Sequence, residues 1–300
     1  LKLGSSEALV LNGNVEIFTV TNNIVHDNDN IGIDLIGFEG TSTGPYDQVR
    51  DGVVINNTVY NIDSRNNPAY GGERAADGIY VDGGTAITIE RNRVYSSNIG
   101  IELASEHQAG TTSYVTVRNN FVFNNHAAGI SLGGYDAERG GTKHCAIVNN
   151  TLYHNDTGQQ GNGEIALNFQ VRDNVIKNNI LVANSQSLLV VSEFSLTNNE
   201  VDYNLYFAPA GIENSEWQWA GTSFEGFADY QRQTGNDAHS AFVDPRFVDL
   251  LAPDLHLRPT SPALDAGQTL AEAGNYDIDA EARRQGDAID LGADEASLPD

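Results

Sequence analysis

The chain is expected to fold as an all-β, right-handed parallel β-helix, with long loops along one face and a C-terminal cap. Three observations predict this: one short phrase is written seven times, a second strand-like phrase follows most copies, and no helical period occurs before residue 208. The first phrase reads VTNNIVH (20–26), VVINNTVY (53–60), TIERNRVY (88–95), VTVRNNFVF (115–123), AIVNNTLY (146–153), VIKNNILV (175–182) and SLTNNEVD (195–202). Its second doublet position is Asn23, Asn57, Asn92, Asn120, Asn150, Asn179 and Asn199. Two residues later stand Val25, Val59, Val94, Val122, Leu152, Leu181 and Val201, an aliphatic column that must point inward. Each repeat is then one coil, and equal positions stack about 4.8 Å apart along the axis. Asn suits such a corner because it tolerates left-handed backbone angles and its amide can bond to the Asn above and below.

The second phrase is IGIDL (31–35), DGIYV (77–81), IGIELA (99–104), AGISL (128–132) and GEIALNF (163–169), with an alternation of period two. If Ile33 and Leu35 face in, Asp34 faces out, and the same register carries Tyr80, Glu102, Ser131 and Ala166 on the coils that follow. Asp82, two residues on from Tyr80, also faces out.

Coil length carries the functional information. The Asn column is spaced 34, 35, 28, 30, 29 and 20 residues apart, so 20 reads as the minimal coil and the rest as insertions. One set follows the second phrase, at 37–50, 105–113 and 133–143; another, DSRNNPAYGGERAAD, lies at 63–77. Insertions at one corner of successive coils build a wall, and a groove beside it suits an elongated polymer. The wall supplies Arg74, Glu106, His107, Tyr135, Arg139 and Lys143 next to outward Asp34, Tyr80, Asp82 and Glu102. One coil of separation puts Asp82 and Glu102 about 5–6 Å apart and two coils put Asp34 and Glu102 about 9.6 Å apart, which suits retaining and inverting glycosidases respectively.

Composition excludes other classes. Sixteen basic against forty-one acidic residues give a formal charge of −25, which repels nucleic acid and anionic membranes, and no apolar run is long enough to span a bilayer. The lone Cys145 excludes an internal disulfide and reads as a buried strand thiol. No nucleophile elbow, phosphate loop, dinucleotide fingerprint or helical zinc pair is present. Oxygen-rich stretches such as His26-Asp27-Asn28-Asp29-Asn30 make calcium the metal to consider.

Three segments are expected: coils over 1–207, a loop and short helix over 208–240, and capping strands over 241–300. In the last, AFVDPRFVDLLAPDLHLRPTSPALDAG and NYDIDAEARRQGDAIDLGADE resemble the closing segment of secreted bacterial β-helix proteins. That resemblance implies a seal over the C-terminal end of the rod and a secreted or cell-surface location. HDNDNIGIDLIG and ADGIYVDGG resemble repeats of the pectate-lyase-like superfamily, including the family 9 pectate lyases. Members use calcium held by clustered Asp residues and a Lys base. The resemblance carries over Asp34 alone as a metal ligand, and Asp82 joins it as the other outward Asp of that face. Of Lys2, Lys143 and Lys177, Lys143 is the one expected at the groove, with His107 as a substitute base.

The functional expectation is therefore a secreted enzyme cleaving a polysaccharide, a lyase first and a hydrolase using an Asp/Glu pair second. A non-catalytic glycan-binding or structural rod is the third reading. Asp34, Asp82, Glu102, His107 and Lys143 are the candidate catalytic residues. Arg74, Tyr80, Glu106, Tyr135 and Arg139 are the candidate substrate contacts, and Asp34 and Asp82 the candidate calcium ligands. The chain is expected to be a monomer and part of a longer multidomain protein.

Overall fold

A computed structural model describes residues 5–108 and 110–296. Three parallel sheets wrap one apolar core. Among the described residues the groove sheet has seven strands: Leu9–Asn12, Ile33–Ile36, Asp77–Asp82, Ile99–Ala104, Ala128–Leu132, Ile165–Leu167 and Val190–Ser192. Each coil then passes into a second sheet, through strands such as Arg50–Ile55, Thr85–Glu90, Thr116–Arg118 and Ala146–Val148, and into a third, through Thr58–Ile62, Arg93–Tyr95, Phe121–Phe123 and Thr151–Tyr153. Val25, Val59, Val94, Val122, Leu152 and Leu181 pair in register in the third sheet and are fully buried, as the aliphatic column requires.

The Asn doublet divides two jobs between its residues. The first member, Asn22, Asn56, Arg91, Asn119, Asn149 or Asn178, takes the left-handed conformation that turns the corner, with φ between 52° and 57°. The second forms the ladder. In each pair Oδ1 accepts both the backbone N–H and the side-chain N–H of the Asn one coil back, as Asn150 does from Asn120 at 3.2 and 2.9 Å. Nδ2 also donates to backbone carbonyls, Ile89 and Arg118 in the case of Asn120. Buried polar groups at the corner are thereby satisfied without water.

The ladder does not end on Asn199, which corrects one sequence assignment. Asn179 donates to Asn204, and Tyr203 is the left-handed partner. Asn199 belongs to another corner, where it receives Asn174, which in turn receives Cys145. Val201 accordingly pairs with Ile176 in the second sheet, while Tyr206 follows Leu181 in the third. Both intervals are 25 residues, so the shortest coil is 25 and not 20.

The C-terminal segments also differ from expectation. Trp217, Phe227 and Tyr230, from the hairpin Trp217–Trp219/Thr222–Phe224 and the helix Phe227–Thr234, are buried in the same cluster as Val190, Val201 and Tyr206 of the last coil. Residues 208–240 therefore plug the end of the rod. Residues 241–296 run back along its side: Phe247, Leu255, Leu257, Ile278 and Leu291 cover outward-facing Phe121, Tyr153, Ile180 and Leu205 of the third sheet. Buried Arg283 anchors this strap, donating to Asn119 Oδ1 and to the carbonyls of Ala293, Asp290 and Asp294. Lys177 lies beneath it, bonded to Glu200 and Gln268.

Replacing Asn120 by Ala strips the acceptor from two buried Asn92 donors. We expect a loss of roughly 2–4 kcal/mol, read as a lower urea midpoint. Asn23→Ala, half-exposed at the N-terminal edge, is expected to cost under about 1 kcal/mol. Equal losses at the two positions would contradict the ladder's role.

Candidate active-site cleft

The insertions flank the groove sheet at both corners. Residues 37–49 and 133–141 lie where the chain leaves it, and 63–76 and 154–164 where it enters. Between them is a cleft of about 400 Å³, lined by Tyr70, Glu73 and Ala75 from one wall, Glu106 and Tyr135 from the other, and Asp77, Tyr80, Glu102 and Ser131 from the sheet. Asp34, Tyr80, Glu102, Ser131 and Ala166 stand in one register, as expected, and Val10 extends it by one coil.

Asp77 was not expected there, because strict alternation from Ile79 and Val81 would turn it inward. The pleat slips at Gly78. A Cβ on Gly78 would lie 2.5 Å from the buried Val94 Cγ1 and 2.7 Å from the Gly100 carbonyl oxygen, so this position faces the core as Ile79 does. Only glycine fits that approach, and the residue before it is rotated to the outside. Gly100 repeats the device against Val122, which is why Ile99 lines the cleft beside Asp77. The signal was present in the sequence as the Gly before the first inward Ile in four of the five second phrases, Gly32, Gly78, Gly100 and Gly129.

Asp77 and Glu102 are hydrogen bonded to each other. Burial, followed by the charge of Glu102, holds the Asp77 carboxyl well above its usual range. Burial also pushes Glu102 up to about 7, although Ser131 Oγ donates to its Oε1 at 2.8 Å. Asn168 Nδ2 donates in turn to Ser131 Oγ at 3.1 Å. Asp82 is raised by burial to about 6; its Oδ1 accepts the Glu106 backbone N–H at 2.8 Å and fixes the start of that loop. Asp34 is raised well above the carboxylate range by burial and then by the charges of Asp82, Glu7, Glu106 and Glu39.

The remaining candidates are dispersed. His107 Nε2 lies 3.9 Å from Asp82 Oδ2. Arg139 is paired with Asp136 and stacks 4.8 Å over the Tyr135 ring at the rim. Arg74 turns to a neighbouring hollow with Arg65, Gly72 and Gln160. Lys143 sits in the strand Thr142–Lys143 of the second sheet, in register with Ser113 and Arg172, and does not line the cleft. The corner after 133–141 carries it past the groove before its side chain emerges. Among the described residues lining the cleft there is no Lys, Arg or His. No third His, Cys, Asp or Glu joins Asp34 and Asp82: among the described residues, three ligand atoms of these types gather within 4.8 Å only at His256, Asp279 and Asp294, in the strap.

Sequence reasoning also missed residues of the entering wall. Tyr70 donates to Asn30 Oδ1, and Glu73 lies beside it in the cleft. Asn162 is presented by a loop wound around Asp156, whose carboxylate accepts the backbone N–H groups of Gln160, Gly161, Asn162 and Gly163. Glu164 follows, fully buried, its two oxygens accepting the Asn155 backbone and side-chain N–H groups. It ends the short ladder of Asn125 and Asn155 where another Asn would stand, and burial raises it to about 8.

Residues 7–226 match the family described as the right-handed β-helix region, and the chain belongs to it. The uncharacterized protein YwoF of Bacillus subtilis (strain 168) is 45% identical over 264 residues, 88% of this chain and 56% of that protein. The chain thus spans just over half the length of that relative. Among solved structures, pectate lyase Pel9A superposes with a TM-score of 0.55 at 17% identity, over 99% of this chain and 70% of that one. The complex of XylC with xylose gives 0.45 at 12% identity, over 92% and 50%. The likeness to the pectate lyase is one of fold. Among the described residues no helix is long and apolar enough to cross a membrane.

The raised carboxyls make stability pH dependent. An acid whose folded pKa exceeds its unfolded value stabilises the fold when protonated and loses that contribution as pH rises through the folded value. Glu102 at about 7 and Glu164 at about 8 place the window between about pH 4.5 and pH 8. We expect the thermal midpoint to rise on acidification from about pH 8 to about pH 5. A midpoint that falls over this range would contradict the assignment.

Proposed function

We propose that the cleft is the active site of a glycoside hydrolase acting on an extended glycan outside the cell. The observation that carries this reading is the hydrogen-bonded Asp77–Glu102 pair, which keeps a proton near neutral pH on the floor of a groove, with a further carboxylate, Glu106, on its wall. Glu102, recharged by Asp77, gives the proton to the departing glycosidic oxygen as the C1–O bond breaks. Glu106 takes a proton from the water that supplies the new hydroxyl to C1. Tyr80 and Tyr135 seat the sugar rings, and Asp82 positions Glu106 through its backbone.

Elimination from a uronate requires a cation on the carboxylate to acidify the proton α to it, and the described lining residues include no Lys, Arg or His. Calcium bound by Asp34 and Asp82 with substrate oxygens, and His107 as base, is the form that reading takes here. One assay separates the two. The protein is incubated with acidic, neutral and basic polysaccharides, with and without chelator, following reducing ends and the ultraviolet absorbance of an unsaturated product. Hydrolysis yields reducing ends alone, unaffected by chelator; an absorbing product lost on chelation establishes elimination. A glycan that binds without either signal overturns both enzymatic readings in favour of a binding rod.

Under hydrolysis, Glu102→Gln is expected to lower kcat by roughly 10²–10⁴-fold, whereas Lys143→Ala leaves it unchanged. Because the acid must be protonated, kcat/KM is expected to fall as pH rises above about 7. Activity that increases through this range would exclude Glu102 as the acid.

A further inference from the structure

The cleft carries Glu73, Asp77, Glu102 and Glu106 on its surface, with Asp34 and Asp82 in the same field. No basic side chain among the described lining residues offsets them. The nearby basic side chains are committed elsewhere: Arg139 to Asp136, His107 toward Asp82, and Arg74 to the adjoining hollow. Among the described residues around the cleft, two buried carboxylate oxygens have no hydrogen-bond donor, Oδ1 of Asp77 and Oδ1 of Asp34, in side chains only 2% and 3% exposed. A buried oxygen without a donor is costly, and its cost is relieved when a ligand brings one.

We propose that the glycan bound here carries free amino groups, so that a protonated 2-amino sugar sits against Asp77. An ammonium supplies three donors and a positive charge to a site short of both. The rest of the lining fits a sugar better than a bare metal ion. Ile31, Ile99 and Ala128 form an apolar floor for a ring face, Tyr80 and Tyr135 stand beside it, and the acids are spread along the groove without three ligand atoms converging. A uronate finds no cationic side chain among the described lining residues. Burial and mutual charge hold these carboxyls in their protonated forms, so docking of an ammonium displaces protons from the cluster. This inference rests on the cleft being a glycan site, and it specifies which glycans enter.

Calorimetric titration tests it with three trimers: glucosamine, N-acetylglucosamine and galacturonate, at about pH 6, where a sugar amine is protonated. The glucosamine trimer is expected to bind at least about tenfold more tightly than the acetylated one, with a preference that weakens in salt and falls to about twofold in Asp77→Asn. Asp34→Asn is the second variant, and circular dichroism checks that each remains folded. Repeating the titration in buffers of different ionisation enthalpy reads the released protons. Equal affinity for the acetylated trimer, comparable binding of galacturonate, or calcium alone binding the cleft and blocking the amine would each overturn the proposal. Reducing ends are assayed on the same samples. Amine-selective binding without cleavage sinks hydrolysis and leaves this inference standing; cleavage of neutral glycans without amine selectivity does the reverse.

Discussion

The stacked asparagine corner is the constraint on which the rest of the molecule depends. Successive coils must turn sharply between the second and third sheets, and each turn would otherwise bury unpaired backbone groups. A left-handed residue followed by an Asn solves both problems, and the solution works only if the next coil presents the same Asn at the same height. Register is therefore transmitted along the rod and set at every corner. The buried aliphatic column follows from that register, as does the outward line from Asp34 to Ala166.

The same regularity explains how the groove sheet gathers carboxyls that repel one another. Outward positions on neighbouring coils cannot diverge, because the backbone ladder holds them about 4.8 Å apart. Burial holds protons on Asp34, Asp77 and Glu102, and the charges of neighbouring acids reinforce this. Such a cluster works against stability at neutral pH. It is tolerated because an extensive apolar core and continuous ladders support the coils on which it stands. A scaffold with looser register would separate these side chains.

Closure of the rod uses two devices of different kinds. An aromatic plug of Trp217, Phe227 and Tyr230 fills the mouth of the last coil, while the strap of 241–296 lies along the third sheet. The strap attaches to the left-handed members of the doublets, not to the ladder members. Asn119, Asn149 and Asn178 use their side chains to donate to the carbonyls of Ala273, Asp290 and Gln268. Both residues of the doublet thus contribute, one to stacking coils and the other to holding the strap.

The β-helix was legible in the sequence because a ladder demands the same residue types on every coil, and so leaves a column that can be read directly. The outward register of Asp34, Tyr80 and Glu102 and the loops beside it were legible for the same reason. Two corners built from the same Asn chemistry made Asn199 look like the successor of Asn179, and only the hydrogen bonds assign that place to Asn204. Asp77 was hidden because Gly78 reverses the alternation of its strand, an event set by the close approach of Val94 from another sheet. Tyr70, Glu73 and Asn162 reach the cleft from loops whose paths are fixed by contacts distant in sequence, and Lys143 leaves it for the second sheet. Repetition along one chain direction determined the scaffold; side-chain convergence across sheets and loops depends on packing between segments far apart in the chain, and tertiary structure alone decided it.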